Sequence, residues 1–239
     1  MKEMVTVPRG EKLILRGDAV IAGRNDAPIV ELYNVAPGQR IRMEAENATA
    51  YGFAAEAGKI CSPSGMHWIG AGMHYCSPGP VWTEAAGLLV VIHDWRGLFS
   101  IGGPIEAKGR LKYIDGCSDT LIVGPPKCGD PCLNHLHFPP GIRQTMHTHP
   151  SLRCGIVADG QGRAVLGCGD ELPLNKGDVW ILPCGGAHCF FTDDRPMQII
   201  AFHPDSDTGP RDEDHPMLNR TYVDGESARN LPKIQTAEI

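Results

Sequence analysis

Apolar residues along this chain come in short patches, and turn residues break the pattern at close intervals. In the first part the patches are Lys12–Leu15, Ala19–Ala22, Ile29–Asn34, Arg40–Glu44, Leu88–His93 and Leu98–Ile101. Turns such as Ala36-Pro37-Gly38-Gln39 and Ser77-Pro78-Gly79-Pro80 separate them. Patches this short, bounded by Pro and Gly, predict β-strands. Only Ala48–Gly58 predicts a short helix; elsewhere no helical period exceeds about three turns.

The second part repeats the pattern. Leu133–Phe138 is closed by Pro139-Pro140-Gly141. A segment through His147 and His149 follows, then Gly155–Ala158, Arg163–Gly167, Val179–Leu182, His188–Thr192 and Met197–Phe202. Residues 105–125 read as a junction, with a hard break at Gly124-Pro125-Pro126. From His203 onward the chain turns polar and Pro-rich, as a surface extension or a lid. The fold class is therefore all-β, an antiparallel sandwich or barrel, in segments 1–104, 105–204 and 205–239.

With 239 residues there is enough chain for one large β domain or two of roughly 100 residues. A net charge of −6 disfavours nucleic acid and anionic membranes as partners. No apolar run is long enough for a membrane span, and the first ten residues lack the apolar core of a signal peptide. Nine cysteines, an odd number without an export signal, predict reduced thiols in the cytoplasm.

The chemistry concentrates in the second part. His147 and His149, two apart on a strand, share one face. His188 arrives from a separate strand through a Pro–Gly turn. Three neutral imidazoles converging from two strands suit a divalent transition metal. His135 and His137 also share a face; they line the pocket if that face looks inward and lie outside it otherwise. Arg143, Gln144 and Arg153 lie near the metal strands, where an arginine suits a carboxylate. Phe190 shares the face of His188 and walls the pocket. His203 and His215 read as solvated loop histidines. Cys61, Met66, His67, Met73, His74 and Cys76 fit no zinc spacing and read as packing residues.

The two histidine stretches resemble the signature motifs of the cupin superfamily. The first runs Gly, five residues, His-x-His, three or four residues, Glu, then six residues to a Gly. Gly141, His147 and His149 match it, Cys154 stands in the Glu place, and Gly160 or Gly162 closes it. The second runs Gly, five residues, Pro-x-Gly, two residues, His, three residues, Asn. Gly177, Pro183, Gly185 and His188 match, with Thr192 in place of Asn. The resemblance covers about residues 130–203. It implies double-stranded β-helix (jelly-roll) barrels, with residues 105–204 as the metal-binding barrel. Val35-Ala36-Pro37-Gly38 and Gly72 to Pro78 mirror parts of the motifs, so residues 1–104 are expected to form a degenerate second barrel, and the chain a bicupin.

The resemblance leaves three ligand sets open. Cys154 sits beside a three-His site without binding; or it is a fourth ligand favouring Zn or Cu; or the site resembles that of the thiol dioxygenases, three-His iron cupins. Iron(II) is the expected metal, with Zn, Mn, Ni or Cu as alternatives. The implied activity is a dioxygenase acting on a small organic molecule. A non-redox isomerase or lyase, and a non-catalytic small-molecule-binding cupin, are the alternatives. A homodimer is the expected assembly.

Overall fold

A computed structural model describes residues 3–237. The strands of the first half are β1 (Val5–Val7), β2 (Lys12–Leu15), β3 (Val30–Val35), β4 (Ile41–Met43), β5 (Ala48–Ala54), β6 (Gly58–Ser62), β7 (Gly65–Ile69), β8 (His74–Pro78), β9 (Val81–Thr83), β10 (Gly87–His93) and β11 (Ser100–Gly102). The second half contributes β12 (Leu111–Lys112), β13 (Ser118–Val123), β14 (Cys132–Phe138), β15 (Arg153–Leu166), β16 (Glu171–Asn175), β17 (Val179–Leu182), β18 (His188–Phe191) and β19 (Met197–His203). Among the described residues no helix is long and apolar enough to cross a membrane.

Two antiparallel sheets make the first barrel, in the orders β11-β8-β5-β10-β3-β2 and β4-β9-β6-β7. The second barrel follows the path β1-β17-β15-β19-β14-β13-β12. Its 14-residue strand β15 passes from one sheet into the other. The first half of β15 pairs with β17 and β19 and the second half with β16 and β18, with a register shift between Val157 and Asp159. The all-β architecture is as the sequence predicts. One boundary moves: β1, in the segment assigned to the first barrel, pairs with β17 of the second, Val5 opposite Ile181.

Apolar side chains sort into three clusters. One fills the first barrel (Ile60, Ile69, Tyr75, Leu89, Val91), and one fills the second (Phe138, Val157, Trp180, Phe190, Ile199). The third joins the barrels: Leu32, Tyr51 and Val90 from the first meet Cys154, Ile200 and Phe202 from the second. Strands β10 and β19 therefore bury both faces. Leu88, Val90 and Ile92 face the junction while Leu89 and Val91 face inward. This explains their near-continuous apolar runs.

The same double burial corrects the helix expected at Ala48–Gly58. Residues Ala48–Ala54 form a strand buried along its whole length, paired with β10 and β8. Its alanines and glycine reflect close packing rather than helix propensity. A Cβ on Gly52 would lie 2.1 Å from the Tyr75 ring. Ala19–Ala22 is also not a strand. It holds a 3-10 turn at Gly17–Ala19 and a single bridge from Ile21 to Ser151, and Leu152 donates to the Val20 carbonyl. The first half thus braces residues 151 and 152, which lead directly into the site.

Candidate metal centre

His147 and His188 face each other across an isolated antiparallel bridge, each backbone N–H donating to the other's carbonyl at 2.9 and 3.0 Å. His149 closes the group. Ring centroids are 4.4 Å apart for His147 and His188, 5.1 Å for His147 and His149, and 5.2 Å for His149 and His188. One nitrogen from each ring lies within 4.8 Å of the others.

The tautomers are set locally. Nδ1 of His147 lies 2.8 Å from the Thr145 carbonyl, and Nδ1 of His188 lies 3.1 Å from the Gly186 carbonyl. A carbonyl only accepts, so each Nδ1 carries a proton and Nε2 is the nitrogen left for a metal. This is the arrangement that orients metal-ligating histidines. Burial pushes the pKa of His149 down to about 3 and that of His188 down to about 4, with Arg153 adding to both shifts. Both rings are neutral at pH 7, as metal ligation requires.

These shifts set a pH dependence for the metal-free protein. A histidine of the unfolded chain protonates near 6.5, while the folded rings resist it. The unfolded chain then binds more protons, so stability is full above about pH 6.5 and falls as pH drops towards the folded values. We expect the melting temperature of metal-free protein to decline between pH 7 and pH 4, and the His149→Gln variant to decline less. Equal slopes would show that His149 contributes nothing to acid sensitivity.

The histidines open on a cavity of about 90 Å³ walled by Leu136, Phe138, Trp180, Phe190 and Ile199. Gln144 and Phe190 lie on this wall as expected, and the Gln144 side-chain oxygen accepts from the Phe190 backbone at 3.2 Å. Thr192, in the place of the motif's Asn, ties the loop before the histidines: its hydroxyl accepts from Ile142 N–H and donates to the Pro139 carbonyl.

Other expected site residues lie elsewhere. Cys154 is fully buried in the cluster between the barrels, and burial pushes its thiol pKa up. It is neither a fourth ligand nor beside the triad, because alternation on β15 turns it away and brings Arg153 into the cavity. The motif allows three or four residues before its carboxylate, and the structure selects three. Arg153 therefore occupies the Glu place. His135 and His137 face away as well. Asn134, Leu136 and Phe138 line the cavity from β14, whereas His135 Nε2 pairs with Gln198 Oε1 at 3.0 Å on the far face. Arg143 is outside the cavity, paired with Asp193 at 2.7 Å and lying over the Phe191 ring.

Four polar wall residues escaped sequence reasoning: Tyr113, Asp119, Asn134 and His203. His203 is no solvated loop residue. It ends β19 on the face of Met197, Ile199 and Ala201, beside the Asn134 amide at 3.3 Å, and burial holds its pKa well below the usual histidine value. Period-two alternation from Ile199 was the signal that could have found it. Nothing local to Tyr113 or Asp119 announces their place.

Two donors on the cavity wall have no partner among the described residues. Nε of Arg153 and Nε1 of Trp180 are buried and unbonded. Buried donors without acceptors are costly.

Residues 134–203 match the Cupin domain model. No curated protein matches the chain. The fold is similar to the cupin 2 conserved barrel domain protein from Leptotrichia buccalis, at 16% identity and a TM-score of 0.54, over 84% of this chain and 92% of that one. It is also similar to the protein Ylba from E. coli, at 14% identity and a TM-score of 0.53, over 88% and 93% of the two chains. An oxalate decarboxylase aligns at 11% identity and a TM-score of 0.51, over 87% and 78%.

Proposed function

We propose that this protein of the cupin superfamily is a metal-dependent enzyme of the dioxygenase type, acting on a small carboxylate-bearing molecule. The observation that carries this reading is the donor set: three convergent imidazoles, with an arginine where the motif has a carboxylate. Iron(II) held by His147, His149 and His188 would supply redox chemistry towards O₂ and open coordination positions.

The chain's own residues do the rest. Arg153 offers its free Nε to a carboxylate, a charge-assisted contact in a site shielded from water. Trp180 presents a second donor. Leu136, Phe138 and Phe190 exclude solvent and limit the substrate to a small molecule. Gln144 and Thr192 hold the loop that carries His147.

Two measurements test the reading. Iron-loaded protein should consume O₂ with a member of a panel of small thiol-bearing, keto and phenolic carboxylic acids. Arg153→Gln should raise KM for the carboxylate-bearing substrate by about tenfold or more, the worth of a charge-assisted hydrogen bond. Turnover without O₂ uptake would instead make this a metal-dependent isomerase or lyase. Tight binding without turnover would make it a binding barrel.

A further inference from the structure

Arg153 is tied to the segment that leaves the second barrel. The Ser151 hydroxyl is completely buried. It accepts from Arg153 Nη1 at 2.5 Å and donates to the Asp205 carboxylate. The same Nη1 donates to the carbonyls of Leu152 at 2.9 Å and Ser151 at 3.3 Å. Asp205 lies 3.7 Å from Nη1, the one ion pair of Arg153 among the described residues. Nη1 is thus engaged, while Nε has no partner among the described residues. Asp205 itself looks onto a second, polar cavity, which shares Asn134, His149, Arg153 and His203 with the first.

The arrangement has an electrostatic consequence. Where a carboxylate would attract a metal ion, Arg153 repels it, and repulsion is strong where water is excluded. Asp119, also on the pocket wall, makes no ion pair among the described residues. Asp205 is therefore the counter-charge available to the guanidinium.

We propose that Asp205 is a positioning residue for the metal centre, acting through Ser151 and Arg153: it offsets the guanidinium charge beside the three histidines and fixes the free Nε edge towards the ligand. This rests on the reading of the triad as a metal site. The assignment differs from a general acidic attraction for metal, because it predicts that Asp205 matters only while Arg153 is present.

Zn(II) affinity of the full chain, measured by competition with a chelating dye, tests it. Asp205→Asn should weaken Zn(II) binding by about tenfold or more, since a nearby buried charge is no longer offset. In the Arg153→Gln background the same substitution should change affinity by less than about twofold, as a double-mutant cycle reads coupling. Ser151→Ala breaks the relay without altering charge. It should weaken Zn(II) binding in wild type and not in Arg153→Gln, which keeps the test in hand if Asp205→Asn does not fold. An unchanged affinity in Asp205→Asn, or an equal loss in both backgrounds, overturns the proposal. Failure of wild type itself to bind Zn(II) removes the metal reading, and this one with it.

Discussion

His188→Ala is expected to abolish metal binding while Cys154→Ala retains it. His188 supplies one of three nitrogens within 4.8 Å, and its ring is fixed by the Gly186 carbonyl. Losing an outer partner of a metal ligand costs about 10–100-fold in affinity, and losing the ligand itself should cost more. Protein purified without added metal should carry near-stoichiometric metal as wild type and next to none as His188→Ala. Cys154 makes the opposite case. It packs between the barrels beside Ile200 and Phe202, so Cys154→Ala should lower stability by about 1 kcal/mol with metal content unchanged. Metal that leaves with Cys154 would refute the strand parity described here. Elemental analysis of the three proteins, with a melting curve of each, decides it.

The second large effect is at the seam between the barrels. Phe202 is wholly buried, with its ring centroid 5.1 Å from that of Tyr51 on the other barrel. Removing a buried phenylalanine side chain costs about 3–5 kcal/mol, part of it the cavity left behind. Across a chain of this size that is a drop of roughly 6–20 °C in melting temperature. Phe202→Ala should also make urea unfolding less cooperative, since the lost contacts couple two units that each hold a separate core. The triad lies on the inner face of the second barrel, so the folded variant should still bind metal. A loss below about 1 kcal/mol, outside the range for core truncations, would mean that the seam contributes little to coupling.

Much of this was legible in the sequence, for identifiable reasons. The triad and its two loops follow from fixed spacings between Gly141, His147, His149, Gly177 and His188. The all-β class follows from the punctuation of short apolar patches. What failed was parity. On a strand with one wet face, alternation reports which side is inside; β14 and the first half of β15 bury both faces, so His135 is indistinguishable from Asn134, and Cys154 from Arg153. A motif that tolerates one residue of slack before its carboxylate left the same ambiguity. Double burial also disguised β5 as a helix, because close packing against Tyr75 selects the small residues that helices favour. Tyr113, Asp119 and Asp205 reach the site or its arginine only through tertiary structure.

Strand β1 bears on how the chain is made. Val5–Val7 finds its partner in β17, near the far end of the sequence. On a ribosome adding about 5–20 residues per second, roughly 10–35 s separate synthesis of the two strands. Throughout that interval the first barrel can assemble behind a leading strand with nowhere to dock. When β1 finally adds to the sheet, it closes a loop around everything between, so Val5–Val7, translated well before its partner, is among the last segments to settle.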